Sequence, residues 1–117
     1  MGTSGSEAVI RNPSTGRSAS VKALVDTGAI DTVIPREIAE ELQLPVTSKS
    51  VVLTAKGPAE LDECVGVMEI AGRRRAAPML ISSEMDFALI GVTTLERLRL
   101  EVDPTTGKLK ESVAFLL

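Results

Sequence analysis

A rhythm of short apolar runs cut by turn clusters restricts this chain more than any other feature. Asn12-Pro13-Ser14-Thr15-Gly16, Ala55-Lys56-Gly57-Pro58, Gly72 and Pro104-Thr105-Thr106-Gly107 each end a run before a long helix could form. Ala19 to Val25 alternates and then becomes continuously apolar, as a strand entering a core does. Val9-Ile10, Val51 to Thr54, Leu61 to Ile70, Arg73 to Ile81, Phe87 to Gly91, Leu100 to Asp103 and Lys108 to Glu111 read as further strands. Pro78 puts its part of the 73–81 segment on an edge or at a bulge. Two short helices are expected. Pro35 to Leu42 has Pro at its start, acids in its first turn, and Ile38 and Leu42 on one face. Val92 to Leu98 is the second. Strands and helices do not alternate as a doubly wound sheet requires, so the expected class is all-β with compact closure and one or two short helices.

The core of such a fold has to be aliphatic. The chain has no Trp and no Tyr, and only Phe87 and Phe115. Val and Ile suit strands, and nothing offers a stacking platform for single-stranded nucleic acid. With 117 residues the chain is one domain's worth. Residues 1–8 are expected to be a flexible tail and residues 9–117 the domain. Thirteen Lys and Arg stand against 16 Asp and Glu, which argues against a nucleic-acid partner. No run approaches the roughly 20 apolar residues that span a bilayer, and the start lacks a signal-peptide pattern. The expectations are no membrane partner and a cytoplasmic location.

There is no His, and Cys64 is the sole cysteine. This excludes a Ser-His-Asp triad, a Cys-His nucleophile, a Cys/His zinc site and an internal disulfide. Catalysis is left to carboxylates, hydroxyls, Lys or Arg, or a bound cofactor. Cys64 reads as a small apolar filler or a harmless surface thiol.

Asp26 follows the apolar Ala23-Leu24-Val25 and precedes Thr27-Gly28, which places a carboxylate at the mouth of the core. Two readings of it stand. In one, Asp26 caps local N–H groups at a strand-end turn. In the other it is a functional carboxylate, although one carboxylate could not easily serve as both acid and base. Ala88-Leu89-Ile90-Gly91 is, by itself, a buried strand stopped by Gly. Arg73-Arg74-Arg75 reads as a solvated hairpin, with recognition of acidic substrates as the alternative.

Taken together, Ala23 to Ala29 followed by Thr32-Val33-Ile34-Pro35 resembles the active-site segment of the retropepsin-like aspartic proteases. Ala88 to Gly91, followed by a short helix, resembles that family's second motif. Leu100 to Asp103 with Gly107-Lys108-Leu109 resembles the closing strands of its bacterial and archaeal single-domain branch. The resemblance runs from about Val21 to Leu109.

It implies a closed acid-protease barrel and a homodimer that hydrolyses peptide bonds, with no metal or other cofactor. Asp26 and its symmetry mate would be the catalytic pair. Thr27, Gly28 and Ala29 would shape the active-site loop, and Ile90 and Gly91 would support it. A flap would span Val51 to about Val67, with Thr54, Ala55, Lys56 and Gly57 at its tip. The partners implied are a second copy and a peptide or protein substrate. Ile30 departs from the family, which often has Ser, Thr or Asp there. Lys56 departs as well, standing where bacterial relatives often carry an acid. These departures motivate the alternative of a non-catalytic peptide-binding or structural homodimer. The wholly apolar Val113 to Leu117 is expected to be buried against a partner subunit.

Overall fold

In a computed structural model, residues 3–112 are described. The elements follow in order: β1 (Thr3–Arg11), β2 (Ser18–Asp26), β3 (Val33–Pro35), α1 (Arg36–Glu41), β4 (Val46–Thr54), β5 (Gly57–Ile70), β6 (Arg73–Ser82), β7 (Ala88–Ile90), α2 (Val92–Leu98), β8 (Leu100–Val102) and β9 (Leu109–Glu111). Six strands run in the order β1-β2-β7-β3-β6-β5. The circle closes where β1 pairs with β5, Ile10 opposite Met68. The barrel is mixed: β2–β7 and β3–β6 are parallel, and the remaining pairs are antiparallel. Closure gives each of the six strands two neighbours over at least part of its length, which shortens the edges a small all-β chain would otherwise expose. The all-β class, the closure and the two short helices therefore stand as expected.

β5 is long enough to do two jobs. Its second half lies in the barrel wall against β6, Asp62 to Ile70 opposite Ile81 to Arg73. Its first half pairs with β4 alone, from Gly57 opposite Thr54 to Leu61 opposite Ser50, and forms a hairpin arm beyond the wall. Pro78 lies opposite Val65 of β5, and β3 reaches β6 only from Leu80 onward. The missing proline N–H thus falls where that side of β6 is unpaired.

The interior is aliphatic apart from Met68, Met79 and Cys64. Ile10, Val25, Ile34, Cys64, Met68, Ala88 and Ile90 are fully buried, with no aromatic ring among the buried side chains described. Asn12 is the polar pin of the lower barrel. Its Oδ1 accepts the N–H groups of Ser14 and Thr15, and its Nδ2 donates to the carbonyls of Leu42 and Gln43. The β1–β2 turn is thereby fastened to the end of α1.

One boundary differs from the expectation. Residues 3–8, read as tail, belong to β1 and pair with β2 from Thr3 opposite Asp26 to Ala8 opposite Val21. A ladder needs only backbone N–H and C=O groups, and β2 offers an edge that this segment covers. Val113 to Leu117, expected at a subunit contact, lie outside the described residues.

Candidate active site

The candidate site is built where β2 runs out. Ala23, Leu24 and Val25 sit in the wall beside Ala88, Leu89 and Ile90 of β7, in parallel register. Asp26 therefore emerges at the end of the barrel, half-buried, and Thr27 and Gly28 are exposed beyond it. The loop turns back at once. The Gly28 N–H donates to Asp26 Oδ1 at 2.9 Å, and the Ala29 N–H donates to the Asp26 carbonyl at 3.1 Å. The capping reading of Asp26 is realised in this turn, and it uses one carboxylate oxygen only. A Cβ on Gly28 would lie 3.2 Å from that oxygen, so a larger residue would press on the carboxylate.

The second segment lies beneath the loop. Val92 N–H donates to the Ala29 carbonyl at 2.9 Å, and Thr93 N–H donates to the Ile30 carbonyl at 3.2 Å. Gly91 is buried against the loop backbone, where an added Cβ would fall 2.5 Å from the Asp31 carbonyl oxygen. The structure thus brings Asp26, Gly28, Ala29, Ile90 and Gly91 together around one loop.

Two residues of this support escaped the sequence reading. Thr32 is buried, and its Oγ1 accepts the Gly91 N–H at 3.0 Å and meets the Thr94 hydroxyl at 2.5 Å. Thr32 was visible only as part of a motif. The spacing of Thr94 in α2 showed that it lies on a helix, but nothing showed that a second threonine faces it.

A cleft of about 490 Å³ opens beside the loop. Ala29, Ile30 and Asp31 form one wall, Val52, Leu53 and Thr54 of β4 another, and Leu80, Leu89 and Met85 contribute to the rest. Asp31 and Glu84 are the charged side chains along it. Ile30 and Leu53 are 70% and 84% exposed, so apolar surface stands open on both lips. The hairpin turns at Ala55-Lys56, with Thr54 Oγ1 donating to the Gly57 carbonyl at 2.7 Å and Gly57 at a φ of 108°. Thr54 reaches the cleft, whereas Ala55, Lys56 and Gly57 lie beyond its walls.

The base of the hairpin is tied to the barrel by charge. Asp62 on β5 takes Lys49 Nζ at 3.0 Å and Arg36 Nη1 at 3.4 Å, and Arg36 Nε donates to Ser83 Oγ at 2.7 Å. The Lys49 hydrogen bond is the main reason that the Asp62 carboxyl titrates below its ordinary range, with Arg36 adding to it. Cys64 lies in the interior, where burial and then the charge of Glu63 push its thiol up to about 11. Such a thiol stays protonated and serves as packing.

A closed mixed barrel with an Asp-Thr-Gly loop braced by a buried strand and a projecting hairpin defines the retropepsin-like acid-protease fold. The chain belongs to the family described as gag-polyprotein putative aspartyl protease, whose pattern it matches over residues 15–97. No curated protein matches it significantly. Among solved structures it is similar to the EIAV protease complexed with the inhibitor HBY-793, at 17% identity and a TM-score of 0.64, covering 80% of this chain and 85% of that one. It is similar to the simian foamy virus (mac) protease at 25% identity and a TM-score of 0.59, covering 80% and 92%. A third is the foamy viral protease-reverse transcriptase in complex with an RNA/DNA hybrid, at 18% identity and a TM-score of 0.59. There the match covers 77% of this chain but 11% of the other.

These findings correct the expected bacterial and archaeal branch: the family is named for the gag polyprotein, and these structures are retroviral. The segment that suggested the branch is the β8–β9 hairpin. Its Asp103 side chain accepts the Thr105 N–H in an ordinary local turn, chemistry too common to mark a lineage.

Proposed function

We propose that this chain is an aspartic endopeptidase that works as a homodimer, with Asp26 of each copy forming the catalytic pair. One observation carries the reading. Asp26 stands half-buried at the end of β2 with one oxygen held by the Gly28 N–H at 2.9 Å, in the turn that leads into the cleft wall, which begins at Ala29 and does not include Asp26 itself. One such carboxylate cannot act as acid and base together, and a second copy would supply the other. Two carboxylates within about 3 Å cannot both ionise comfortably, so they share a proton and titrate as a unit.

The ionised Asp26 takes a proton from water as the water oxygen bonds to the scissile carbonyl carbon. The protonated partner gives its proton to the carbonyl oxygen. The tetrahedral intermediate then collapses: the proton now on Asp26 passes to the amide nitrogen, the partner carboxylate recovers a proton from a hydroxyl of the intermediate, the C–N bond breaks, and a carboxylic acid and an amine leave. Thr27 would contact the opposite loop. Gly28 and Ala29 would keep the floor clear, and Ile90 and Gly91 would hold the loop in place. The β4–β5 hairpin would act as the flap, closing over a peptide and excluding water.

The aliphatic lips favour apolar side chains beside the cleaved bond. Asp31 and Glu84 disfavour acidic ones. The protease unit forms a single domain, which the β1 ladder extends back to Thr3. No helix among the described residues is long and apolar enough to cross a membrane, and we place the enzyme in the cytoplasm.

The test is cleavage of a diverse peptide library by wild type and Asp26→Asn across pH 4 to 7, read by mass spectrometry. Cleavage by wild type alone, strongest on the acidic side, is expected. No cleavage by a demonstrated folded dimer would sink the enzyme reading. The exposed Ile30 would then favour a peptide-binding module.

A further inference from the structure

A strongly basic hollow on this acidic chain lies away from the cleft, and we infer that it is a docking site for an acidic polypeptide segment. Arg75 at the start of β6 and Arg97 and Arg99 at the end of α2 border a groove of about 540 Å³, with Glu96 the single carboxylate along it. That volume lies within the range of ligand sites, about 300–1,000 Å³. The cleft is lined by Asp31 and Glu84, and the hollow beside α1 sets Arg36 against Glu37, Glu40 and Glu41. An acidic segment is therefore repelled from those two hollows and drawn to this one.

The arginine triplet divides in a way its sequence does not show. Arg73 is paired with Glu111, and Arg74 with Glu69. Arg75 donates only to the Arg74 carbonyl, at 2.7 Å. Arg97 Nη1 reaches the Ala76 carbonyl at 3.4 Å, which holds its guanidinium across the groove. Among the described residues Arg75, Arg97 and Arg99 have no ion pair, although 16 acidic residues are present in the chain. Each keeps a planar face of donors suited to a carboxylate.

The absence of Trp and Tyr, and of any aromatic side chain along the groove, leaves no aromatic platform for stacking a base. The choice between an acidic peptide and a nucleic acid therefore falls on the peptide. Thr93, at the other end of the groove, donates to the Ile30 carbonyl of the active-site loop. The seven residues of α2 rise about 10 Å, so a segment bound here lies on the same molecule as the cleft yet clear of it.

The experiment uses the full chain and a ten-residue Glu-Gly repeat carrying a neutral dye, followed by fluorescence anisotropy. Because it reads binding alone, it succeeds or fails independently of peptide cleavage. Saturable binding with a Kd of about 1 mM or tighter is expected. It should weaken about tenfold or more in the triple variant Arg75→Gln, Arg97→Gln, Arg99→Gln, since exposed charge contacts are individually small but add here. The double variant Arg75→Gln, Arg99→Gln spares the Ala76 contact and should weaken binding about threefold to fivefold. Arg17→Gln, Lys22→Gln, Lys108→Gln removes equal charge elsewhere and should change binding less than about twofold. Failure to saturate overturns the proposal, as does equal loss in the control. A uridine decamer or inorganic phosphate bound as tightly as the peptide also overturns it.

Discussion

Replacing Gly91 with Ala adds one methyl group at the tightest point beneath the active-site loop. Its Cβ would lie 2.5 Å from the Asp31 carbonyl oxygen, 2.6 Å from the Asp31 carbonyl carbon and 2.6 Å from the Ile30 oxygen. Non-bonded carbon contacts settle near 3.5–4.0 Å, so the Ile30–Asp31 backbone would have to retreat by about 1 Å. That backbone cannot swing aside as a side chain could. It is held by Val92 to Ala29, Thr93 to Ile30 and Leu80 to Thr32 hydrogen bonds of 2.9, 3.2 and 2.9 Å. Overpacking costs about 1–3 kcal/mol, and a weakened backbone hydrogen bond about 1 more, giving a loss near 3 kcal/mol.

For a domain of this size that lowers Tm by about 12–20 °C. Urea unfolding measures it directly, as a lower midpoint with an unchanged slope. Gly91 has φ −89° and ψ 172°, which any residue adopts, so an explanation from backbone freedom predicts no loss. Gly66→Ala is the control, because its Cβ would meet Met79 at 3.4 Å and Ile10 at 3.5 Å, ordinary contacts, and it should stay within about 1 kcal/mol. Equal shifts in the two variants, or a Gly91→Ala loss under about 1 kcal/mol, would refute the steric account.

Thr32→Val should cost about 3 kcal/mol in urea unfolding, since it strands the buried Gly91 N–H and the Thr94 hydroxyl; Thr94→Val should cost less, because Gly91 keeps its acceptor, and the reverse order would contradict this. Asp62 titrates below its ordinary 3.8 when folded, so its contribution to stability is present above that value and is lost as pH falls through the lower folded value. Asp62→Asn should flatten that acid limb of the stability curve, and an unchanged limb would remove the Lys49–Asp62 link from the account. Cys64 should resist iodoacetamide at pH 8 in the folded chain and react on unfolding; alkylation at the rate of a free thiol would contradict its burial.

The strand rhythm, the two helices and the closed all-β class were legible because they are written locally. Turn clusters stop strands, and Pro35 with Ile38 and Leu42 shapes a helix wherever it lies. Asp-Thr-Gly at the end of an apolar strand likewise marks a candidate site before any fold is known. The sequence could not show that Thr3 to Ala8 complete a ladder, because pairing there depends on backbone groups and on the edge of β2. It could not distinguish Arg73 and Arg74, which have acidic partners, from Arg75, because Glu111 and Glu69 come from other strands. Nor could it join Thr32 to Thr94, or show that Gly91 is required by the backbone of residues 30 and 31. Local residue chemistry decided most of the strands, helices and turns, with Thr3 to Ala8 the exception. Only the tertiary structure decided which of them touch, because closing the barrel brings groups far apart in the chain within hydrogen-bonding range, where a single methyl group matters.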